Sequence, residues 1–282
     1  YTHQTGVVAM LNCFHGRTHG AVAVTSNEKY RKPFGLDRLD WVHFVPFNDL
    51  EAVEKKLQDG SAKIVILELV QGEEGGINPA RMDYAKGLRK LCSEYGALLI
   101  VDEVQTGFGR VATKEGQWWA SDVYGIVPDL MSIGKSFGGG FPVTAVVTNK
   151  EIAKEMKSGY DGSTFGGNPM ATLSATIAIQ QMKKLNITKN VVERGKQLID
   201  GLKGIKTNLI KEVRGLGLFI GIVFQTKEHI ITFQEELRSL GVKSTLSTNN
   251  VARFLPPLII SEEEVDYLLD KVKKAVSNME KP

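Results

Sequence analysis

Cysteine is almost missing from this 282-residue chain. The two that occur, Cys13 and Cys92, have no CxxC spacing and no histidine partner, which excludes a disulfide framework and a zinc site and suits a reducing, cytoplasmic setting. A charge excess is missing too: 35 basic residues against 32 acidic ones leave a formal net of +3. The basic residues are dispersed, so no nucleic-acid footprint is present. No apolar run comes near the roughly 20 residues of a membrane span, and no signal-peptide pattern occurs in the sequence as given. Internal repeats and low-complexity tracts are absent. What remains, 42% hydrophobic and 24% charged residues, is the composition of a globular protein large enough for one large domain and a smaller one.

The continuous apolar runs Val7–Phe14, Lys63–Val70, Ala97–Val101 and Pro128–Ile133 have the character of strands covered on both faces. Between them, Asp49–Leu57 has helical spacing with Asp49 as its cap. A second helix is expected to open at Pro79, to turn Ala85, Leu88, Leu91, Cys92 and Tyr95 to one side, and to stop at Gly96. This alternation predicts an α/β fold, a mostly parallel sheet with helices on both faces. Residues 1–189, ending in a long helix over Met170–Leu185, form the expected large domain. Residues 190–282 form the smaller α+β one, with a strand reading VRGLGLFIGIVF from Val213, a helix over Thr232–Leu240 and a strand over Ala252–Ile260. A capping box, Ser261 to Glu264, opens the last helix. Gly215-Leu-Gly217 is not a dinucleotide fingerprint, because position 220 is Ile where a third glycine is needed.

Ligands of open α/β sheets bind beyond the carboxyl ends of the strands. Four runs place Phe14 and Arg17, Glu68 and Glu73, Asp102 and Gln105, and Lys135 at that end. The last of these stretches, DLMSIGKSFGGGFP over Asp129–Pro142, sets one lysine on glycine-rich backbone that a bulky ligand can approach closely. It is not a Walker A loop, since position 129 is Asp where that motif needs glycine. A lone lysine is ordinarily a solvated surface residue, Asp102 alone reads equally as a capping or ion-paired carboxylate, and Phe14 alone reads as core. Together the three suit pyridoxal phosphate, which is held through a lysine amine with a carboxylate at its pyridine nitrogen and an aromatic ring against its face.

The blocks FHGRT (Phe14–Thr18), QGEEGGINP (Gln71–Pro79), LIVDEVQTGFGR (Leu99–Arg110), IGKSFGGGFP (Ile133–Pro142), GSTFGGNP (Gly162–Pro169) and RFLPP (Arg253–Pro257) resemble, in order and spacing, the signatures of the class III pyridoxal-phosphate-dependent aminotransferases. That resemblance implies a fold-type I transferase in which Lys135 carries the cofactor as a Schiff base and moves the proton. Asp102 then meets the ring nitrogen, Gln105 lies near the phenolic oxygen, Phe14 stacks on the ring, and Thr164 reaches the cofactor phosphate of a second subunit, so that a homodimer is expected. Arg17 and Arg253 resemble the family's substrate-carboxylate arginines, and Glu73 the acid that pairs with the second. Within the class the blocks are most similar to acetylornithine and acylated-lysine aminotransferases of arginine and lysine biosynthesis, with 2-oxoglutarate as amino acceptor. Ornithine and 4-aminobutyrate aminotransferases come next, and a non-catalytic scaffold subunit is the reading from another class. Two departures stand out: Glu68 is followed by Leu where the family has proline, and QGEEGG carries one residue more than the family's QGEGG. The family's serine/threonine-glycine phosphate loop is expected upstream of Tyr1, and weak cofactor binding is expected of the chain as given.

Overall fold

The structure, a computed structural model, describes residues 1–281. It divides into two compact units, one of residues 1–69, 80–108 and 120–185, the other of residues 70–79, 109–119 and 186–282.

The first unit is built on a six-stranded sheet of β1 (Val7–Met10), β2 (Val42–Val45), β3 (Ile64–Leu67), β4 (Leu98–Asp102), β5 (Leu130–Ile133) and β6 (Ala145–Thr148), in the order β2-β1-β3-β4-β5-β6. Every neighbouring pair is parallel except β5 and β6. All four residues of β1 are buried, as expected of an apolar run with cover on both faces. The helix Leu50–Gln58 opens where Asp49 accepts a hydrogen bond from the Ala52 N–H at 3.0 Å, and it buries Val53 and Leu57. The next helix starts three residues later than its sequence suggests, at Met82. Pro79 belongs instead to a two-residue strand, Asn78–Pro79, paired antiparallel with Val70–Gln71, an edge position where a missing N–H does no harm. Tyr84, Ala85, Leu88 and Cys92 form the buried face of that helix, and Gly96 follows it at φ +60°.

In the second unit β7 (Ile210–Leu216), β8 (Phe219–Phe224), β9 (Thr245–Ser247) and β10 (Val251–Phe254) make an antiparallel sheet in the order β9-β10-β8-β7. Two sequence expectations are corrected here. The stretch from Val213 is a hairpin and not one strand, because Gly217 at φ +53° turns the chain so that Leu216 faces Phe219. The strand expected over Ala252–Ile260 ends at Phe254, since Pro256 and Pro257 have no N–H to give a ladder. The helix Ile187–Lys203 and the closing helix Glu262–Met279 each present a buried apolar face.

At the start of the closing helix Ser261 accepts from the Glu264 N–H, and the Glu264 carboxylate accepts from the Ser261 N–H at 2.8 Å. Ser261→Ala removes one half of this reciprocal cap and is expected to lower unfolding free energy by about 1 kcal/mol, read as a lower urea midpoint at unchanged slope.

Candidate active site

Because β1, β3, β4 and β5 are parallel neighbours, their carboxyl ends lie along one edge of the sheet. Asp102 is the last residue of β4, 8% exposed, and directly opposite Ser132 on β5. Its Oδ1 accepts hydrogen bonds from the Val104 N–H at 3.1 Å and the Ser132 hydroxyl at 2.9 Å. Its Oδ2 lies 2.9 Å from His15 Nδ1. One shelf down the edge, the Phe14 N–H donates to Glu68 Oε2 at 3.0 Å. The ends of four strands are therefore tied together by two buried carboxylates.

His15 sits directly behind Asp102, its side chain 2% exposed, and its Nε2 has no partner among the described residues. Burial alone lowers the pKa of an imidazole. Here the neighbouring Cys13 and the hydrogen bond that His15 donates to Asp102 outweigh burial and raise it well above its ordinary value. The sequence offered little warning of this residue, since a histidine after a strand end carries no periodic signal. Ser132 is easier to see in hindsight as the polar residue of an otherwise apolar LMSI strand.

Lys135 lies two residues beyond the end of β5 and takes a left-handed backbone, φ +47°, which is costly for a side chain with a Cβ and marks positions where strain serves a site. The glycines around it permit the tight path. A Cβ at Gly138 would lie 2.7 Å from Val143 Cγ1, and Gly139 and Gly140 have φ of +57° and +109°. Lys135 is exposed to a cavity of about 580 Å³ lined also by Phe141, Thr144, Ser163, Phe165 and Asn168. Asn168 caps the helix Pro169–Lys184, accepting from the Ala171 N–H at 3.0 Å, and so fixes the loop that forms this wall. Thr164 is exposed between the lining residues Ser163 and Phe165.

The remaining candidates fall into two groups. In the first unit Gln105 is half-buried with an amide oxygen that has no partner among the described residues, an unsatisfied group of the kind a ligand can meet. Phe14 is half-buried and packs edge-on to Tyr30 at 5.9 Å, while the Arg17 guanidinium lies over the Tyr30 ring at 3.9 Å and 5.5 Å from the Phe14 ring. In the second unit the Arg253 guanidinium, 8% exposed, donates from Nη1 to Glu73 Oε2 at 2.5 Å and to the Gly72 carbonyl at 3.3 Å. The acid is the accessible partner, 39% exposed.

Not foreseen from the sequence is Glu103, which is fully buried. It accepts from the Thr106 hydroxyl, the Ala120 and Ser121 N–H groups and the Ser121 hydroxyl. These bonds favour its charged form, but burial outweighs them and raises its pKa. The carboxylate ties the turn that carries Gln105 to the start of the helix Ala120–Tyr124.

A strand-edge lysine and a buried carboxylate on an α/β sheet are groups that a transferase of the pyridoxal phosphate type needs. The class-III aminotransferase family model matches residues 1–276, and the chain belongs to that pyridoxal-phosphate-dependent family. It is 39% identical over 277 residues to an acetylornithine aminotransferase of Methanocaldococcus jannaschii, covering 98% of this chain and 67% of that protein. It is 38% identical over 285 residues to the [LysW]-aminoadipate semialdehyde/glutamate semialdehyde transaminase of Sulfolobus acidocaldarius, covering 99% of this chain and 70% of that one. Among solved structures, the ornithine aminotransferase of Toxoplasma gondii, with pyridoxal phosphate partly occupying its active site, superposes with a TM-score of 0.91 at 30% identity, over 99% of this chain and 65% of that one. The chain thus spans about two thirds of the length of these relatives.

The residues on the edge of the sheet fit this cofactor. Asp102 offers a buried acceptor for a protonated ring nitrogen, Gln105 has an amide with an unmet atom, and Lys135 offers an amine beside a cavity.

The position of His15 predicts a pH effect. A group whose folded-state pKa is raised stabilises the fold fully below its unfolded value, about 6.5 for histidine, and loses that contribution as pH rises through the folded value. Thermal stability of the protein is expected to fall over that window above about pH 6.5, and His15→Gln is expected to flatten the profile there. An unchanged slope in the variant would remove the charged imidazole from the account.

Proposed function

We propose that this polypeptide catalyses transamination from the distal amine of an N-acylated diamino acid, of the acetylornithine or acylated-lysine type, to 2-oxoglutarate, giving glutamate. Its setting is arginine or lysine biosynthesis in the cytoplasm. The observation that carries the distal-amine assignment is the Glu73–Arg253 pair, and the N-acylated class follows the likeness to acetylornithine aminotransferases. Glutamate presents a carboxylate to Arg253, which a guanidinium can grip with two parallel hydrogen bonds. A donor that reacts at a distal amine presents an uncharged methylene at the same place. An unpaired buried guanidinium would then be a desolvated charge, so Glu73 neutralises it for one substrate and releases it for the other.

Pyridoxal phosphate supplies an electron sink for the carbanion formed when the substrate's amine-bearing carbon loses its proton. In this proposal the Lys135 Nζ would hold the cofactor and, once displaced by the substrate's amine, would take that proton and carry it to the cofactor. Asp102 holds a proton at the ring nitrogen, itself steadied by Ser132, the Val104 N–H and His15. Phe14 covers one ring face, Gln105 meets the phenolic oxygen, and Arg17 takes the second carboxylate of glutamate.

Thr164 is assigned to a cofactor phosphate held by a second copy, and the active form is then a homodimer. An exposed apolar stripe of Phe165, Met170, Leu173 and Ile177 supports cover by another protein surface, since contiguous patches of this kind are uncommon on monomers.

Lys135→Ala removes both the anchor and the proton carrier. A loss of at least the roughly 10²–10⁴-fold attributable to general acid–base action is expected in a glutamate-coupled assay. Lys135→Arg does not restore it, because guanidinium stays protonated. Run across acetylornithine, acylated lysine, ornithine and 4-aminobutyrate, the same assay ranks the donors. Near-normal turnover by Lys135→Ala, or a preference for 4-aminobutyrate, contradicts the proposal.

A further inference from the structure

The turn that carries Glu73 has an uncommon feature. Five consecutive carbonyls, Gly72 to Gly76, are each held by a side chain from the sheet of the second unit or from its β9–β10 turn. Arg253 Nη1 donates to Gly72 at 3.3 Å. The Ser247 hydroxyl donates to the Glu73 carbonyl, and the Thr248 hydroxyl and the Asn249 amide donate to that of Glu74. Arg214 reaches Gly75 at 3.1 Å through Nη2, and Gly76 at 2.9 and 3.2 Å through Nη2 and Nε. The turn is close-packed as well. A Cβ on Gly75 would lie 2.5 Å from Gln71 Cβ, and one on Gly76, at φ +66°, would lie 2.7 Å from Val251 Cγ2. Ile77 follows at φ +55°, fully buried.

A short turn with an inserted residue would ordinarily be expected to shift or breathe. Here a displacement of the turn breaks several hydrogen bonds together, while the Glu73 carboxylate remains substantially exposed. We infer that Arg214, Ser247 and Thr248 are positioning residues for substrate choice. They lock the Glu73 backbone so that the acid enters and leaves Arg253 by side-chain rotation alone, and they set how much of the time the pair is closed. This rests on Glu73 acting as the neutralising acid of the proposed function. The partition between two donors follows the closed and open populations, which a ligand can shift only by its differential affinity for them.

The test uses Ser247→Ala and Arg214→Met in the holoenzyme, with Ser247→Ala serving if the arginine variant fails to fold. Losing hydrogen bonds to the turn, one in Ser247→Ala and three in Arg214→Met, is expected to reduce kcat/KM for the distal-amine donor, relative to that for glutamate, by roughly fivefold or more. A second readout needs no turnover. Glutarate, a five-carbon dicarboxylate that competes with Glu73 for Arg253, is titrated calorimetrically and is expected to bind more tightly to both variants by a similar factor. Combining each change with Glu73→Ala separates positioning from general loosening, because a residue acting only through Glu73 has no further effect once that acid is gone. Effects that persist undiminished in the Glu73→Ala background overturn the inference. So do single variants with wild-type donor ratio and glutarate affinity when Glu73→Ala alone shifts both, an outcome that leaves the switch itself standing. If Glu73→Ala shifts neither quantity, the proposed switch falls and this inference with it.

Discussion

A carboxylate buried at the end of an apolar strand costs free energy unless its lone pairs are met, and Asp102 is the point where this fold meets that cost. The first partner comes from the chain turning back on itself, the Val104 N–H; the second from the neighbouring strand, Ser132; the third from the other side of β3, His15. The register of β4 against β5 and the path of the chain after β1 are both tied to this one side chain. Glu68 does similar service beside it by accepting the Phe14 N–H. The edge of the sheet is held by polar bonds while its body is held by apolar burial, and the edge is the part that the chemistry needs rigid.

Much of this was legible in the residues. Uninterrupted apolar runs announced the parallel strands, Asp49 and the Ser261–Glu264 box announced two helix starts, and the residues after each strand marked the edge where Asp102 and Lys135 lie. Boundaries were less legible where local pattern and pairing disagree. Pro79 looks like a helix opener until Val70–Gln71 pairs with its strand, and the Val213–Phe224 run looks like one strand until Gly217 turns it. Least legible were His15 and Glu103. Their roles depend on which chain segments lie against them in space, and neither spacing nor composition encodes that.

The inserted residue in QGEEGG shows how a departure from the family pattern is absorbed. The antiparallel sheet of the second unit supplies Arg214 from β7, Ser247 from β9, Thr248 and Asn249 from the turn after it, and Arg253 from β10, and these close around the turn's carbonyls. The backbone is fixed by its surroundings, and variability is left to one acidic side chain. On the proposed reading, substrate choice and fold stability then rest on different atoms of the same turn.

The central claim is that Lys135 is the amine that carries the cofactor. Borohydride reduction of the cofactor-loaded protein, followed by proteolysis and mass mapping, tests it most directly. The account predicts one reduced cofactor–lysine adduct, on the peptide containing Gly134-Lys135-Ser136, with loss of visible absorbance in parallel. An adduct on another lysine, or none at full cofactor saturation, would contradict it.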